Sequence, residues 1–347
     1  MGLSSVLRLV PRYISEWRYL RIAITLLGFA TTFSSCSEKT ITFNGKALGT
    51  TWTVKIRASR YLDRSVLKDE IIYTIEEAEK ILSHWRPDAE LYQLNQALTS
   101  NPITVHPLLH ELLLHARKVH DESAGAFDPT IAPIVNLWGF GPVESTRTSF
   151  PSAQEIQEAQ SHVGIQLLEI LPENQVRKRQ PTVQVDLSSS AKGEIIDQVC
   201  EMLHRRGLTD HLVEIGGEIR AGSGKWKVAL EDGTSSPENL TLFHLQNSAV
   251  ATSGTYRLNK PSPDAGKPSS HLLDPRTGRP IKHSLVAVNV VASTARVADA
   301  FATAFMILGP SEGPALAKKM NMVARFHIEE ENSSFAITSP AYDKLLH

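Results

Sequence analysis

The stretch VQVDLSSSAKGEIIDQVCEMLHRRG, residues 183–207, decides how the rest of the chain is read. Val183 and Val185 flank a polar residue and predict a short strand running into Asp186. Ile196, Val199, Cys200 and Leu203 recur at helical spacing, which predicts a helix from Glu194 to Arg206 stopped by Gly207. Between the two lies Asp186-Leu187-Ser188-Ser189-Ser190-Ala191-Lys192-Gly193. Small hydroxyl residues, a Lys and a Gly at a helix N-terminus suit an anion, because the unpaired amides and the helix dipole both favour negative charge there. An ordinary helix cap is equally open on these residues alone, and the spacing matches no Walker loop.

Outward from this stretch, strands and helices mix. Trp52, Val54 and Ile56 alternate with polar residues and predict a half-buried strand over Thr51–Ile56. Ile71, Ile75, Ala78 and Leu82 predict a helix ending before Pro87, and a second helix follows Pro107 with Leu108, Leu109, Leu112 and Leu113. Prolines and glycines break up Gly125 to Pro142, a loop-rich region better suited to a site than to a core. Val143 to Ser152 and Pro172 to Pro181 read as surface connections. Further strands are expected at Leu212–Ile215, Trp226–Leu230 and Leu285–Val291, and a helix from Arg296 to Leu308 closes at Gly309. There is no internal repeat and no clean βαβ alternation. The pattern predicts a single α+β domain.

Composition narrows the function classes. The 347 residues are 41% hydrophobic, enough for a sizeable core. With 36 Lys and Arg against 37 Asp and Glu there is no basic field for a polyphosphate backbone, so nucleic acid is not an expected partner. Two cysteines, Cys36 and Cys200, make neither a zinc cluster nor a disulfide framework. Cys200 reads as a buried core residue.

The N-terminus is organised differently. Arg8, Arg12, Arg18 and Arg21 precede an apolar run from Ile22 to Phe33, followed by Ser34, Ser35 and Cys36. That order is a secretory signal, and a Cys after small residues resembles the lipobox of bacterial lipoproteins, with Phe33 where Leu is usual; a plain signal peptide or an uncleaved anchor stays open on these residues. The expected layout is a signal peptide over 1–35, a lipidated polar tether over 36–44 and the main domain over 45–340, facing the exported side of the membrane.

Four clusters carry possible chemistry. Gly125-Ala126-Phe127-Asp128-Pro129 is either a site loop or a turn in which Asp128 caps backbone amides. Asp186 to Gly193 is the second. In Val213-Glu214-Ile215-Gly216-Gly217-Glu218 the paired glycines indicate a tight turn or a close approach of backbone. Fourth come His271-Leu272-Leu273-Asp274-Pro275-Arg276-Thr277-Gly278-Arg279-Pro280 and Asp299-Ala300-Phe301-Ala302-Thr303. Asp299 and Thr303 are four apart and share a helix face, offering two hard oxygens of the kind that suits Mg²⁺, or simply two solvated side chains on a helix surface, the commoner case for such a pair.

Taken in order, Ala47 to Thr51, Leu82 to Leu91, Gly125 to Gly141, Asp186 to Gly193, Ile215 to Arg220, Ala251 to Arg257, His271 to Pro280 and Asp299 to Thr303 resemble the FAD:protein FMN transferase family, also called ApbE. The resemblance runs from about Gly45 to Gly309 and implies the family's α+β domain with FAD in a cleft. It implies flavin-nucleotide contacts at Leu48, Trp85, Ala126, Phe127, Asp128, Asp186, Lys192 and Leu273. It implies Mg²⁺ at the Ser189 backbone carbonyl, Asp299 and Thr303, and His271 as the group that takes a proton from the incoming hydroxyl. Leu48 stands where Met is common, Ser190 where an aliphatic residue is usual, and Ala302 where some members carry a second Asp.

The implied reaction moves FMN from FAD onto a Thr or Ser hydroxyl of another protein, with AMP leaving. The implied acceptors are membrane electron-transport subunits, and the implied location is the periplasmic side of the inner membrane, reached through the lipid anchor. Two rivals share the same residues: an FAD pyrophosphatase in which water replaces the hydroxyl, and a lipoprotein that only binds flavin. A mere binder has no need of a metal pair beside a phosphate cradle.

Overall fold

The computed structural model describes residues 39–58, 62–142, 149–230, 241–256, 259–260, 269–331 and 333–345. The signal, Cys36 and most of the connection after Pro142 lie outside the described residues. Eight strands form the main sheet: β1 (Lys39–Ala47), β2 (Thr50–Ala58), β3 (His211–Ile215), β4 (Glu218–Ala221), β5 (Ser248–Gly254), β6 (Leu285–Ala292), β7 (Val323–Glu330) and β8 (Ser333–Thr338). They lie side by side in chain order. Every pair from β2 to β8 is antiparallel, as the α+β expectation requires. Leu48 and Gly49 join β1 to β2 with positive φ at both positions, the geometry of a tight hairpin turn. Gly216 and Gly217 do the same between β3 and β4.

Four long helices sit in the connections: α1 (Arg64–Leu82), α2 (Pro107–Glu122), α3 (Ser188–Arg205) and α4 (Ala295–Lys319). Each starts and stops for a local reason. The Asp63 carboxylate accepts from the Ser65 and Val66 amides at the start of α1, and Pro107 occupies the first turn of α2. Gly207 follows α3 with φ of 68°, the left-handed C-terminal stop expected of it. Gly309 breaks α4 with φ of 77° and Pro310 follows, so the helix does end there, but a second helical segment resumes at once.

The core lies between the sheet and α3 and α4. Val54, Ile56, Val213 and Val288 from strands meet Ile195, Val199, Phe301 and Phe305 from helices. Cys200 is buried among them, as expected. On the other face a two-stranded pair, Trp226–Leu230 with Thr241–Leu245, packs a smaller core against Val250, Val291 and Tyr342. Ala251 and Val290 face one core while their neighbours Val250 and Val291 face the other, the period-two alternation of a sheet covered on both sides. Among the described residues no helix is long and apolar enough to cross a membrane.

Four expectations are corrected. Val183 to Val185 belongs to no strand. The Asn95 side chain takes the place of a strand partner: its Nδ2 donates to the Val185 carbonyl at 2.8 Å and its Oδ1 accepts the Val185 amide at 2.7 Å. The helix begins at Ser188, six residues before Glu194, so the serines form its first turn. Pro172 to Pro181 contains the strand Gln175–Lys178, with Val176 and Lys178 fully buried, the Lys178 ammonium donating to the Leu94 carbonyl. The tether and the boundaries at 45 and 340 are also too narrow, because β1 starts at Lys39 with Phe43 buried and a last helix, Pro340–Leu345, buries Tyr342.

α3 and α4 cross so closely that a Cβ on Gly193 would lie 2.4 Å from the Ala295 carbonyl oxygen. Asp197 fixes the crossing: its carboxylate accepts from the Ala295 and Arg296 amides at 2.9 and 3.0 Å and from Arg220 Nη1 at 2.7 Å. Burial pushes the Asp197 carboxyl up, and the Arg220 guanidinium opposes that shift. Asp197→Ala leaves two helix amides and a buried guanidinium without their acceptor. We expect it to lower unfolding free energy by about 3 kcal/mol, read from denaturant titration; a loss below about 1 kcal/mol contradicts this role.

Candidate active site

The α3 N-terminus, the first half of α4, the end of β5 and the hairpin Leu273–Pro280 converge on a cavity of about 280 Å³. Trp85, Ala126, Phe127, Asp128, Asp186, Ser189, Lys192, His271, Leu273, Asp299 and Thr303 all line it. These segments are spread over more than two hundred residues of chain. The exception is Leu48, which is not among the lining residues and packs at the edge of the core in the β1–β2 turn. That turn lies beside the Gly216–Gly217 turn, since a Cβ on Gly216 would come within 3.0 Å of Thr50.

Asp299 is buried, and its Oδ2 accepts the Gly193 amide at 3.1 Å, which brings α4 against the first turns of α3. One helical turn on, the Thr303 hydroxyl lies 3.1 Å from that of Ser253 on β5. A helix-face pair read four apart in sequence therefore does look into the cleft.

The walls are built from short loops whose carboxylates hold backbone. Asp128 Oδ1 accepts from the Thr130 amide at 2.8 Å and its hydroxyl at 2.6 Å, and Oδ2 from the Ile165 amide at 3.2 Å. Asp128 thus acts as the cap of its own turn while forming a cavity wall. Asp186 Oδ1 accepts the Ser188 amide at 2.8 Å, and the Asp186 amide donates to the Pro129 carbonyl at 2.7 Å, tying this loop to the first. Ser83, at the end of α1, accepts the Trp85 and Arg86 amides through its hydroxyl and sets Trp85 at the rim, 55% exposed. An aromatic face left that open beside a cavity is a stacking platform.

Residues without an assigned role also stand here. Glu218, buried just past the paired glycines, holds the Lys192 ammonium at 2.8 Å. His84 Nδ1 lies 3.7 Å from Asp186 Oδ1, and Thr252 and Ser253 complete the β5 side. Their motifs are legible in the sequence, but a single stretch does not reveal which side chain faces inward. The His271 ring meets Phe140 edge-on at 6.4 Å between centroids. Among the described residues no group of three or more His, Cys, Asp or Glu side chains gathers to hold a metal.

The ApbE family model matches residues 48–326. The chain belongs to the ApbE family. It is 35% identical over 342 residues to the FAD:protein FMN transferase of Haemophilus influenzae, covering 93% of this chain and 96% of that protein. To the Escherichia coli K12 protein of the same name it is 30% identical, over 95% of this chain and 98% of that one. Among solved structures, the flavin transferase ApbE from Vibrio cholerae superimposes with a TM-score of 0.81 at 30% identity, covering 89% of this chain and 99% of that one. The apo form of Pseudomonas stutzeri flavinyl transferase ApbE gives 0.81 at 33% identity, covering 89% and 97%. The ApbE fold thus accounts for the described sheet and the helices packed on it.

Proposed function

We propose that this ApbE chain transfers the FMN half of FAD to a Thr or Ser hydroxyl of other proteins, with Mg²⁺ bound and AMP as leaving group. The observation that carries the proposal is the convergence of Asp299, Thr303, Ser189, Lys192 and His271 on one cavity. Asp299, Thr303 and the Ser189 backbone offer hard oxygens, a set that suits Mg²⁺, which uses few protein ligands. When bound there, Mg²⁺ offsets the charge of the FAD diphosphate and of the phosphorus under attack. The remaining work belongs to the chain. Lys192, steadied by Glu218, and the α3 N-terminus supply further positive potential toward the diphosphate. Trp85 gives an aromatic face for a ring of FAD. His271 takes the proton as the hydroxyl oxygen bonds to the FMN phosphorus and the bond to the AMP oxygen breaks.

Mass spectrometry of membrane electron-transport subunits incubated with this protein, FAD and Mg²⁺ tests the reading. An acceptor heavier by FMN is the expected product. Free FMN and AMP with no labelled acceptor would make the enzyme a pyrophosphatase instead.

The chain is further proposed to act at the periplasmic face of the inner membrane, anchored through an acylated Cys36; the basic, apolar, small-residue order before Cys36 supports this. Cys36→Ser should move the protein from the membrane fraction to the soluble one. Retention at the membrane with an uncleaved N-terminus would show a signal anchor.

A further inference from the structure

We propose that a second cavity, on the far side of the His271 hairpin, docks the acceptor protein through an acidic stretch beside its hydroxyl residue. This rests on the transferase reading. The second cavity encloses about 430 Å³ and shares two walls with the first. Along the hairpin, Leu272, Leu273 and Pro275 face the first cavity while Asp274, Thr277 and Arg279 face the second. Ile307 of α4 lines both.

A reaction with two substrates needs two approaches to one reacting centre. With FAD in the first cavity, an acceptor hydroxyl must reach His271 from a neighbouring opening, and this one begins a few residues along the same hairpin. An extended chain rises about 3.3 Å per residue, so a short segment is enough to bridge from the second cavity to His271.

The cavity is built rather than incidental. Trp138 Nε1 donates to the Gly278 carbonyl at 2.8 Å and packs on Phe150 at 5.5 Å between ring centroids, holding an aromatic wall against the hairpin turn. Gly278 needs its φ of 68° there, and its amide closes on the Asp274 carbonyl at 2.8 Å. Charge selects the occupant. The Asp274 carboxylate is covered by Arg276 through two bonds of 2.9 and 3.0 Å, and Glu312 also lies 3.5 Å from Arg276. Arg279 and Lys282, both exposed, have no carboxylate partner among the described residues. Among the described residues the opening is therefore aromatic, with positive charge at Arg279 and Lys282 that no carboxylate meets, complementary to carboxylates on an extended segment.

Two peptides of equal length, each with one Thr flanked by Asp in one and by Lys in the other, test this by fluorescence anisotropy on the full chain with FAD present. The Asp peptide should bind at least about tenfold more tightly, with the gap closing as salt is raised. Arg279→Glu with Lys282→Glu should invert the preference while flavin-fluorescence quenching shows unchanged FAD affinity. The milder Lys282→Gln should narrow the preference without changing the melting temperature. Equal binding of both peptides, binding of neither, or a preference untouched by charge reversal overturns the proposal. Failure of the wild-type chain to bind FAD at all would instead remove the transferase reading beneath it.

Discussion

Asp299→Ala is expected to reduce flavin transfer by about 10³-fold or more, because on the proposed reading that carboxylate holds Mg²⁺, which would supply several kcal/mol of transition-state charge stabilisation, and each 1.36 kcal/mol is a factor of ten. The side chain has two tasks that the substitution removes together. It presents anionic oxygen to the cleft, and its Oδ2 accepts the Gly193 amide where α3 and α4 meet. Asp299→Asn separates the two. The amide oxygen still accepts from Gly193, so the melting temperature should stay near wild type, while the lost charge weakens Mg²⁺ and with it turnover. If Asp299→Asn keeps full Mg²⁺-stimulated transfer, or if Asp299→Ala is inactive only because it unfolds, the carboxylate is a helix-packing residue and the metal site must be moved elsewhere.

The partition of Asp299 between packing and chemistry shows what a sequence makes legible. Spacing put Asp299 and Thr303 on one helix face, and that much is a property of the helix itself. Which way the face looks depends on Gly193, where the absent Cβ lets the Ala295 backbone approach, and on Asp197, which ties the start of α4 to α3. Both lie about a hundred residues away along the chain, so local pattern is silent on them. The same holds for Val183 to Val185. Alternation read as a strand because extended backbone and apolar contact look alike in sequence, whereas the actual partner is the amide of Asn95, which periodicity does not encode. Lys178 inverts the usual expectation, since a lysine in a polar stretch reads as surface, yet its ammonium reaches the carbonyl at the end of the short helix Glu90–Gln96. Motifs rich in Gly and Pro were easier. Gly207, Gly309 and the Gly216–Gly217 pair each adopt the positive φ that only local chemistry demands.

His271→Ala should leave FAD affinity intact and lower transfer by about 10²–10⁴-fold, the range contributed by a positioned acid or base. The expectation comes from placement. His271 lines the first cavity and opens the hairpin whose other face lines the second, so on the proposed reading its ring would stand between the FAD diphosphate and an acceptor hydroxyl. The hairpin backbone has its own supports: Ser270 accepts the Leu272 amide through its hydroxyl at 3.2 Å, and Trp138 holds the far turn through Gly278. Removing the imidazole should therefore not collapse the cleft, and flavin-fluorescence quenching gives the control. A proton acceptor also leaves a signature that a spacer does not. Added imidazole should restore part of the transfer rate of His271→Ala without changing its FAD affinity. Near-full transfer by His271→Ala without imidazole would assign the proton to another group lining the same cavity, with His84 the first to substitute because its ring already lies beside Asp186.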